Sequence, residues 1–506
     1  MPHLALLEID KRQEFILGAD KLREMLGASR IIEKTVEKAE KAVAEFPGVK
    51  LIWPVSGVLW FTSDDLKQLK DLLWQLRTDF AALGLSASYA LGDYQSGNFD
   101  KTLASLESQI RATKDAKAGE DGSPRSPLFA QCSIQGRMFA NYWNPGQKKE
   151  PRRRLVSAPS AVKLDACDEY QISSLSRFQF RRHYSEYPEL EALIVSDSDS
   201  YVALIKADGD GVGRLLPILQ WKLVGEWLGC SPETAAEKFS GALAATVKEA
   251  LRLAVDQITG ADNIRRTCFP IIPLIVAGDD LWIVCRRDLA IPFAASLSEH
   301  YAKQAEKNDV LRTARNECGG EPLTLSCGIL HAKVGFPFDA QLDLAQDIET
   351  SAKHYRRDLP ATNRTGCVDY HWLESSGRQT FAEARADGFK YNDSTNTHRL
   401  FTRPWTAAET TAAVAAARKL AELPRRKRHQ LDQIFRFGRH LSELAYLRWR
   451  TGLTPTERNT LDAALAALPQ RLRPTAASPW IDTGRDELST PLPELAELAE
   501  ILEVKS

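Results

Sequence analysis

The chain has 506 residues, of which 43% are hydrophobic and 26% charged, with a formal net charge of -1 and eight cysteines. That length exceeds one ordinary core and predicts two to four globular domains, while the near-zero charge excludes a generally basic nucleic-acid binder and confines any such surface to a patch. No apolar run reaches the roughly 18 residues of a membrane span, no signal peptide opens the chain, and the scattered cysteines read as reduced thiols of a cytoplasmic protein.

Residues 3–10 (HLALLEID) read as an apolar strand and 19–46 as a long helical pattern ending near Pro47-Gly48. Residues 51–62 (LIWPVSGVLWFT) read as two strands around Ser56-Gly57. Residues 63–84 open on a Ser-Asp cap and close on glycine, a helix, and 85–93 form another strand. From 114 to about 191 the composition turns to Gly, Pro, Ser and Arg, with a basic knot KKEPRRR that holds Arg152, Arg153 and Arg154. The first order of elements then returns: strand 201–208 (YVALIKAD), helix 231–258 with Ser231 as cap and Pro232 at its first position, hairpin 273–288 (PLIVAGDDLWIVCRRD), helix 294–308, strand 323–332, helix 339–357 and a closing strand at 366–372.

The two hairpins share a Leu-Trp closely preceded by a glycine, and on the Leu-Trp register Gly57 matches Asp279 and Val58 matches Asp280. This predicts an internal duplication in which only the second copy carries carboxylates at its tip. From about Pro404 the chain reads as helical throughout. Residues 425–450 set Leu431, Ile434, Phe435, Leu441 and Ala445 on one stripe and Arg425, Arg428, Arg436 and Arg439 on another, with Asp432 and Glu443 nearly the only balancing acids. Such a face is either solvated or a contact for a phosphate backbone.

A Gly-Asp-Asp turn alone is ordinary, because aspartate tolerates turn geometry. Here the strand ending at Asp208, with Asp210 beside it, is expected next to the hairpin tip. Carboxylates that converge in this way repel one another unless cations sit between them, and hard oxygen ligands point to Mg2+ or Mn2+. Two such ions suit phosphoryl or nucleotidyl transfer. Gly209, Gly211 and Gly213 would let backbone N–H groups approach phosphates, and Gly278 would let a nucleotide lie over the hairpin. The rival reading of DGDG as a calcium loop fails because Ile218-Leu219 stands where the loop's last acid belongs.

This constellation resembles the palm domain of nucleotide cyclases and polymerases with GGDEF-type hairpins. More closely, the chain resembles the large polymerase-like subunit of type III CRISPR–Cas effector complexes. The likeness rests on KLREMLGAS after the first strand, two palm-like repeats, IKADGDGVG, AGDDL, LSCGI and the helical tail, and it covers essentially the whole chain. It implies an α+β fold with two ferredoxin-like palm domains: 1–115 without catalytic carboxylates, 191–375 with the AGDD hairpin. Between them lies an irregular linker or degenerate zinc-ribbon region at 116–190, and an all-helical domain follows at 376–506.

It further implies a nucleotidyltransferase that makes cyclic oligoadenylate from ATP when target RNA is bound, with two Mg2+ or Mn2+ ions on Asp208, Asp279 and Asp280. Gly209, Asp210, Gly211, Gly278 and Lys353 would bind nucleotide, and Ser56 and Gly57 an acceptor ATP in the first repeat. Companion effector subunits, guide RNA and target RNA are the expected partners, with Arg152–Arg154, Arg425, Arg428, Arg436 and Arg439 as contact candidates. Three departures stand out. Ala277 replaces the family's usual first glycine of the hairpin, at a cost on the order of 1 kcal/mol if φ there is positive. Cys132 and Cys167 each lack the second cysteine of a zinc pair, so no structural zinc is expected. No His-Asp dipeptide marks a nuclease domain. Two alternatives stay open: an inactive scaffold of a ribonucleoprotein and a free-standing cyclase, although Leu281-Trp282 stands where the latter has Glu-Phe.

Overall fold

In the computed structural model, β1 (His3–Ile9) runs through the middle of the first sheet, with Leu4, Ala5, Leu6 and Leu7 all buried. The described residues are 2–18, 22–55, 57–94, 98–117, 132, 140, 142–144, 154–177, 193–194, 200–261, 269–373, 380–392, 396–435, 438–475, 478–484 and 487–503. After β1 come α1 (Arg12–Leu17), α2 (Leu22–Glu45), the hairpin β2 (Val49–Val55) and β3 (Val58–Ser63), α3 (Leu66–Ala82), β4 (Ala87–Asp93) and α4 (Phe99–Lys117). Asp65 caps α3, accepting from the backbone N–H of Lys67 and Gln68 at 2.9 and 3.1 Å, as its position before an apolar run predicts. The sheet is antiparallel in the order β2-β3-β1-β4, the order of a ferredoxin-like βαββαβ unit.

A short connecting stretch supplies β5 (Tyr142–Asn144), β6 (Arg154–Val156) and α5 (Ala158–Arg177). Arg152 and Arg153 lie outside the described residues. The order then repeats: β7 (Tyr201–Asp210), α6 (Val212–Leu215), α7 (Trp221–Leu228), α8 (Pro232–Ala261), hairpin β8 (Ile271–Ala277) and β9 (Asp280–Arg286), α9 (Arg287–Lys307), α10 (Asp309–Glu317), β10 (Thr324–Lys333) and α11 (Phe338–Asp358). Its sheet runs β8-β9-β7-β10, the first unit's order again, and is extended at one side by β11 (Cys367–Trp372), parallel to β10. Helices of each unit also reach the other's sheet: α8 packs on β2, and α2, besides its own β2, touches β8. Stacked Trp53 and Trp60, 4.5 Å between rings, meet Trp221 of α7 edge-on, so one hydrophobic core crosses from the first sheet into the second unit.

The tail is mostly helical but not wholly so, which corrects the sequence reading. After α12 (Phe381–Phe389), β12 (Lys390–Asn392) pairs with β13 (Thr397–Arg399), which joins them to two late strands in one small sheet, and β14 (Trp405–Thr406) joins the edge of the second sheet. The helices α13 (Ala407–Leu420), α14 (Arg425–Ile434), α15 (Arg439–Thr451) and α16 (Pro455–Ala466) follow, then the late strands β15 (Ile481–Gly484) and β16 (Glu487–Ser489), and α17 (Leu492–Leu502). Strands of two to four residues leave no periodicity to read. The expected single helix over 425–450 breaks at Gly438, whose φ is +82°. Leu441 is accordingly not a core residue; it is 62% exposed. Among the described residues no helix is long and apolar enough to cross a membrane.

Candidate active site

Ala277 pairs with Asp280, leaving Gly278-Asp279 as a two-residue hairpin turn with Gly278 at φ +65°. In the first unit Val55 pairs with Val58 around Ser56-Gly57, where Gly57 has φ +83° and Ser56 lies outside the described residues. Each tip is tied to the end of its central strand by an equivalent bond. The Gly209 N–H donates to the Asp279 carbonyl at 3.1 Å, and the Ile9 N–H to the Gly57 carbonyl at 2.9 Å. This register makes Gly57 the counterpart of Asp279 and Val58 that of Asp280. It also makes Glu8 the counterpart of Asp208, and Asp10 that of Asp210.

The Asp279 side chain lies directly over Gly209: a Cβ on that glycine would stand 2.6 Å from both Cβ and Oδ2 of Asp279. The end of β7 and the hairpin tip therefore bring Asp208, Asp279 and Asp280 together. Burial, with the like charges of Asp208 and Asp280, pushes Asp279 up to about 7. Its neighbours are engaged by lysines. Lys353 of α11 pairs with Asp208 and, at 2.9 Å, with Glu349 one turn earlier. Burial disfavours charge on Lys353, but Glu349 and Asp208 prevail and its pKa is raised. Glu349 is also raised, by burial. Asp280 pairs with Lys206 through Oδ1 and accepts from Gln13 Nε2 through Oδ2 at 3.1 Å.

Lys206, Glu349 and Gln13 are the site residues that sequence reasoning missed. Lys206 stands two residues before Asp208 on the same face of β7, a period-two signal. Glu349 lies four residues before Lys353 on one helix face. Gln13 gave none, being 267 residues from its partner. The expectation that only bound ions could relieve the carboxylates is corrected, because the chain supplies two cations itself.

Asp210 does not share the open site. It is 5% exposed, accepts from Thr324 Oγ1 at 3.0 Å and Ser326 Oγ at 2.7 Å, and faces the Arg356 Nε at 3.5 Å. Burial raises its pKa, against the pull of Arg356 and the two hydroxyls. It anchors the end of β7 to β10 and α11. Gly211, at φ +91°, turns the chain into α6 against Leu323, whereas a Cβ on Gly278 would meet open space.

The first unit repeats this network. Asp10 accepts from Ser86 Oγ at 2.7 Å and Lys117 Nζ at 3.0 Å, and Glu8 pairs with Lys114 at 2.8 Å. Lys114 and Lys117 thus stand to Glu8 and Asp10 as Lys353 and Arg356 stand to Asp208 and Asp210, at the same spacing of three. Carboxylates persist at the strand end of the first copy; only the tip has lost them.

The expected cationic stripe is largely neutralised. Arg425 pairs with Glu500 at 2.6 Å, Arg428 with Glu503 at 2.8 Å and Arg439 with Glu443 at 3.5 Å, and Arg428 is buried. Glu500 and Glu503 sit on or just beyond α17, remote in sequence, whereas Glu443 is one turn from Arg439 on α15. Arg436 lies outside the described residues, as does the Arg154 side chain.

Among the described residues no three His, Cys, Asp or Glu side chains are drawn together as a ready-made metal site. The donor chemistry nevertheless fits a hard divalent cation: three carboxylates, one of them half-buried beside two like charges.

Residues 201–361 match the family model described as Cas10/Cmr2, second palm domain. Among solved structures, Csm1 from T. onnurineus is 14% identical, with a TM-score of 0.50, and covers 99% of this chain and 69% of its own. A Csm1–Csm4 cassette in complex with cA3 is 12% identical, with a TM-score of 0.53, over 99% of this chain and 69% of its own. At such identity these likenesses speak to the fold alone. No curated protein matches the sequence. The two-residue carboxylate tip docked on β7 falls within residues 201–361, the span that matches the second palm domain of Cas10/Cmr2, in a chain whose fold is similar to that of Csm1.

Proposed function

We propose that the protein is a type III CRISPR effector subunit that joins ATP into cyclic oligoadenylate when target RNA is bound. The observation that carries this reading is the meeting of Asp208, Asp279 and Asp280 at one strand end and one hairpin tip. A related Csm1–Csm4 cassette has been solved with cA3, the kind of product the reading calls for. The division into palm domains at 1–115 and 191–375, a linker region at 116–190 and a tail domain at 376–506 belongs to the same proposal.

Asp208, Asp279 and Asp280 would hold Mg2+ or Mn2+, which supplies activation of a ribose hydroxyl and neutralisation of a leaving pyrophosphate. Lys353 and Lys206 keep the carboxylates compensated until then, and Lys353, once released from Asp208, is a phosphate ligand at the site's edge. The open space beside Gly278 leaves room for a nucleotide over the hairpin. An acceptor ATP would sit in the first unit, where Glu8, Arg12, Gln13, Gly57 and Lys114 wall a cavity of about 280 Å³. Companion subunits and guide RNA are the partners this reading requires.

The test incubates purified complex with labelled ATP and Mn2+, with and without target RNA. Wild type should yield RNA-dependent labelled oligomers, and Asp279→Ala/Asp280→Ala none; equal product from both would remove the site. A second reading, a scaffold without activity, draws on the lysines that already occupy Asp208 and Asp280. It expects no rise in Tm of the pure protein with Mg2+ and ATP.

A further inference from the structure

The helix α1 is wedged between the two hairpin tips. Arg12 lies over the first tip, so that a Cβ on Gly57 would meet Arg12 Cδ at 2.8 Å, while Gln13 reaches the second tip and donates to Asp280 at 3.1 Å. The far end of α1 is fixed by the connecting stretch. Lys163 of α5 donates to the Phe15 carbonyl at 2.7 Å, with its ammonium 4.2 Å from the Phe15 ring centre. The helix α5 is itself locked to α2, since any Cβ on Gly27 would collide with the Lys163 carbonyl at 1.6 Å. The turn that aims α1 is strained. Lys11 has φ 48° and ψ 42°, and it is the one non-glycine residue with positive φ among the described residues. A side chain held there costs on the order of 1 kcal/mol, and such strain gathers where a neighbouring group must be aimed.

We propose that Gln13 is a positioning residue for the catalytic hairpin: its amide fixes one oxygen of Asp280 while Lys206 holds the other, so the second unit's site is set correctly only with α1 of the first unit in place. Through Lys163 the position of α5 bears on Asp280 by way of α1.

This inference rests on the nucleotidyl-transfer reading above, and its test separates the two. Gln13→Glu keeps the shape of the side chain but exchanges the donated hydrogen bond for a second charge; Gln13→Ala removes both. In the full chain assembled with its partners, Gln13→Ala should lower kcat for oligoadenylate synthesis about tenfold, the scale of outer partners of a metal-binding carboxylate. Gln13→Glu should lower kcat further. Both should displace, about tenfold, the Mn2+ concentration at the midpoint of the metal-induced rise in Tm. A Gln13→Glu variant with wild-type kcat and a wild-type Mn2+ midpoint would overturn the positioning role, because packing alone would then suffice. Should the wild type make no oligoadenylate while the Mn2+ midpoint still moves in both variants, the activity falls and the positioning role stands.

Discussion

Asp279 sits in an environment unlike that of an ordinary carboxylate: its pKa is pushed up to about 7 from 3.8, because burial and two like charges disfavour its ionised form. The folded protein therefore binds this proton more tightly than the unfolded chain. The resulting stabilisation is complete below about pH 4 and is lost as pH rises through about 7. Asp279→Asn carries no such charge, so without divalent metal its Tm should exceed that of wild type at pH 8 and match it at pH 4; a difference that stays constant across that range would argue against the assignment. Asp279 and Asp280 were legible because they adjoin a glycine between two apolar strands. Lys206 was legible in principle, since strand periodicity puts it on the face of Asp208. Gln13 was not, because nothing local marks a glutamine whose partner is 267 residues away.

At the level of elements, Lys353 is placed by the contact of α11 with β10. Gly328 of β10 allows that contact: a Cβ there would stand 2.2 Å from the Glu349 nitrogen and 2.7 Å from the Ala345 carbonyl, both backbone atoms that cannot swing aside. Gly328→Ala must lift α11 off the sheet and should destabilise the protein by about 2–4 kcal/mol in urea unfolding. A loss near zero would mean that α11 is not seated as described. The long periodic elements, such as α8 at Pro232–Ala261 against an expected 231–258, follow from side-chain spacing. Where the reading failed, a shorter signal decided. One glycine, Gly438, divides α14 from α15 and turns Leu441 out to solvent, and strands of a few residues in the tail form a sheet through partners far along the chain.

Across the whole molecule, α17 is keyed to the second sheet by a buried charge network. Glu494 accepts from the backbone N–H and hydroxyl of Thr402 at 2.7 and 2.8 Å and from the Arg403 N–H at 3.2 Å, while the Arg403 guanidinium lies 3.9 Å over the Tyr370 ring and bonds Glu497 at 2.9 Å. Glu494→Ala strands these donors in the interior and should cost about 3–5 kcal/mol, read as a lowered urea midpoint; retention of the wild-type midpoint would show that the tail is held by its apolar face instead. The repeat of elements was visible in the sequence, because two hairpins share a Leu-Trp at one register. The reach of α2 and α8 across to the other unit's sheet was not, because helix–sheet contact across units leaves no local trace.

The Arg12 side chain that covers Gly57 also bears on the history of the repeat. An aspartate restored at position 57 would have to adopt a left-handed backbone and force Arg12 aside, whereas Asp279 sits in a turn whose positive φ falls on Gly278. No single substitution recovers the lost tip. The two tips are thus structurally unequal: an acidic first tip needs both a different turn residue to carry the positive φ and a new place for Arg12.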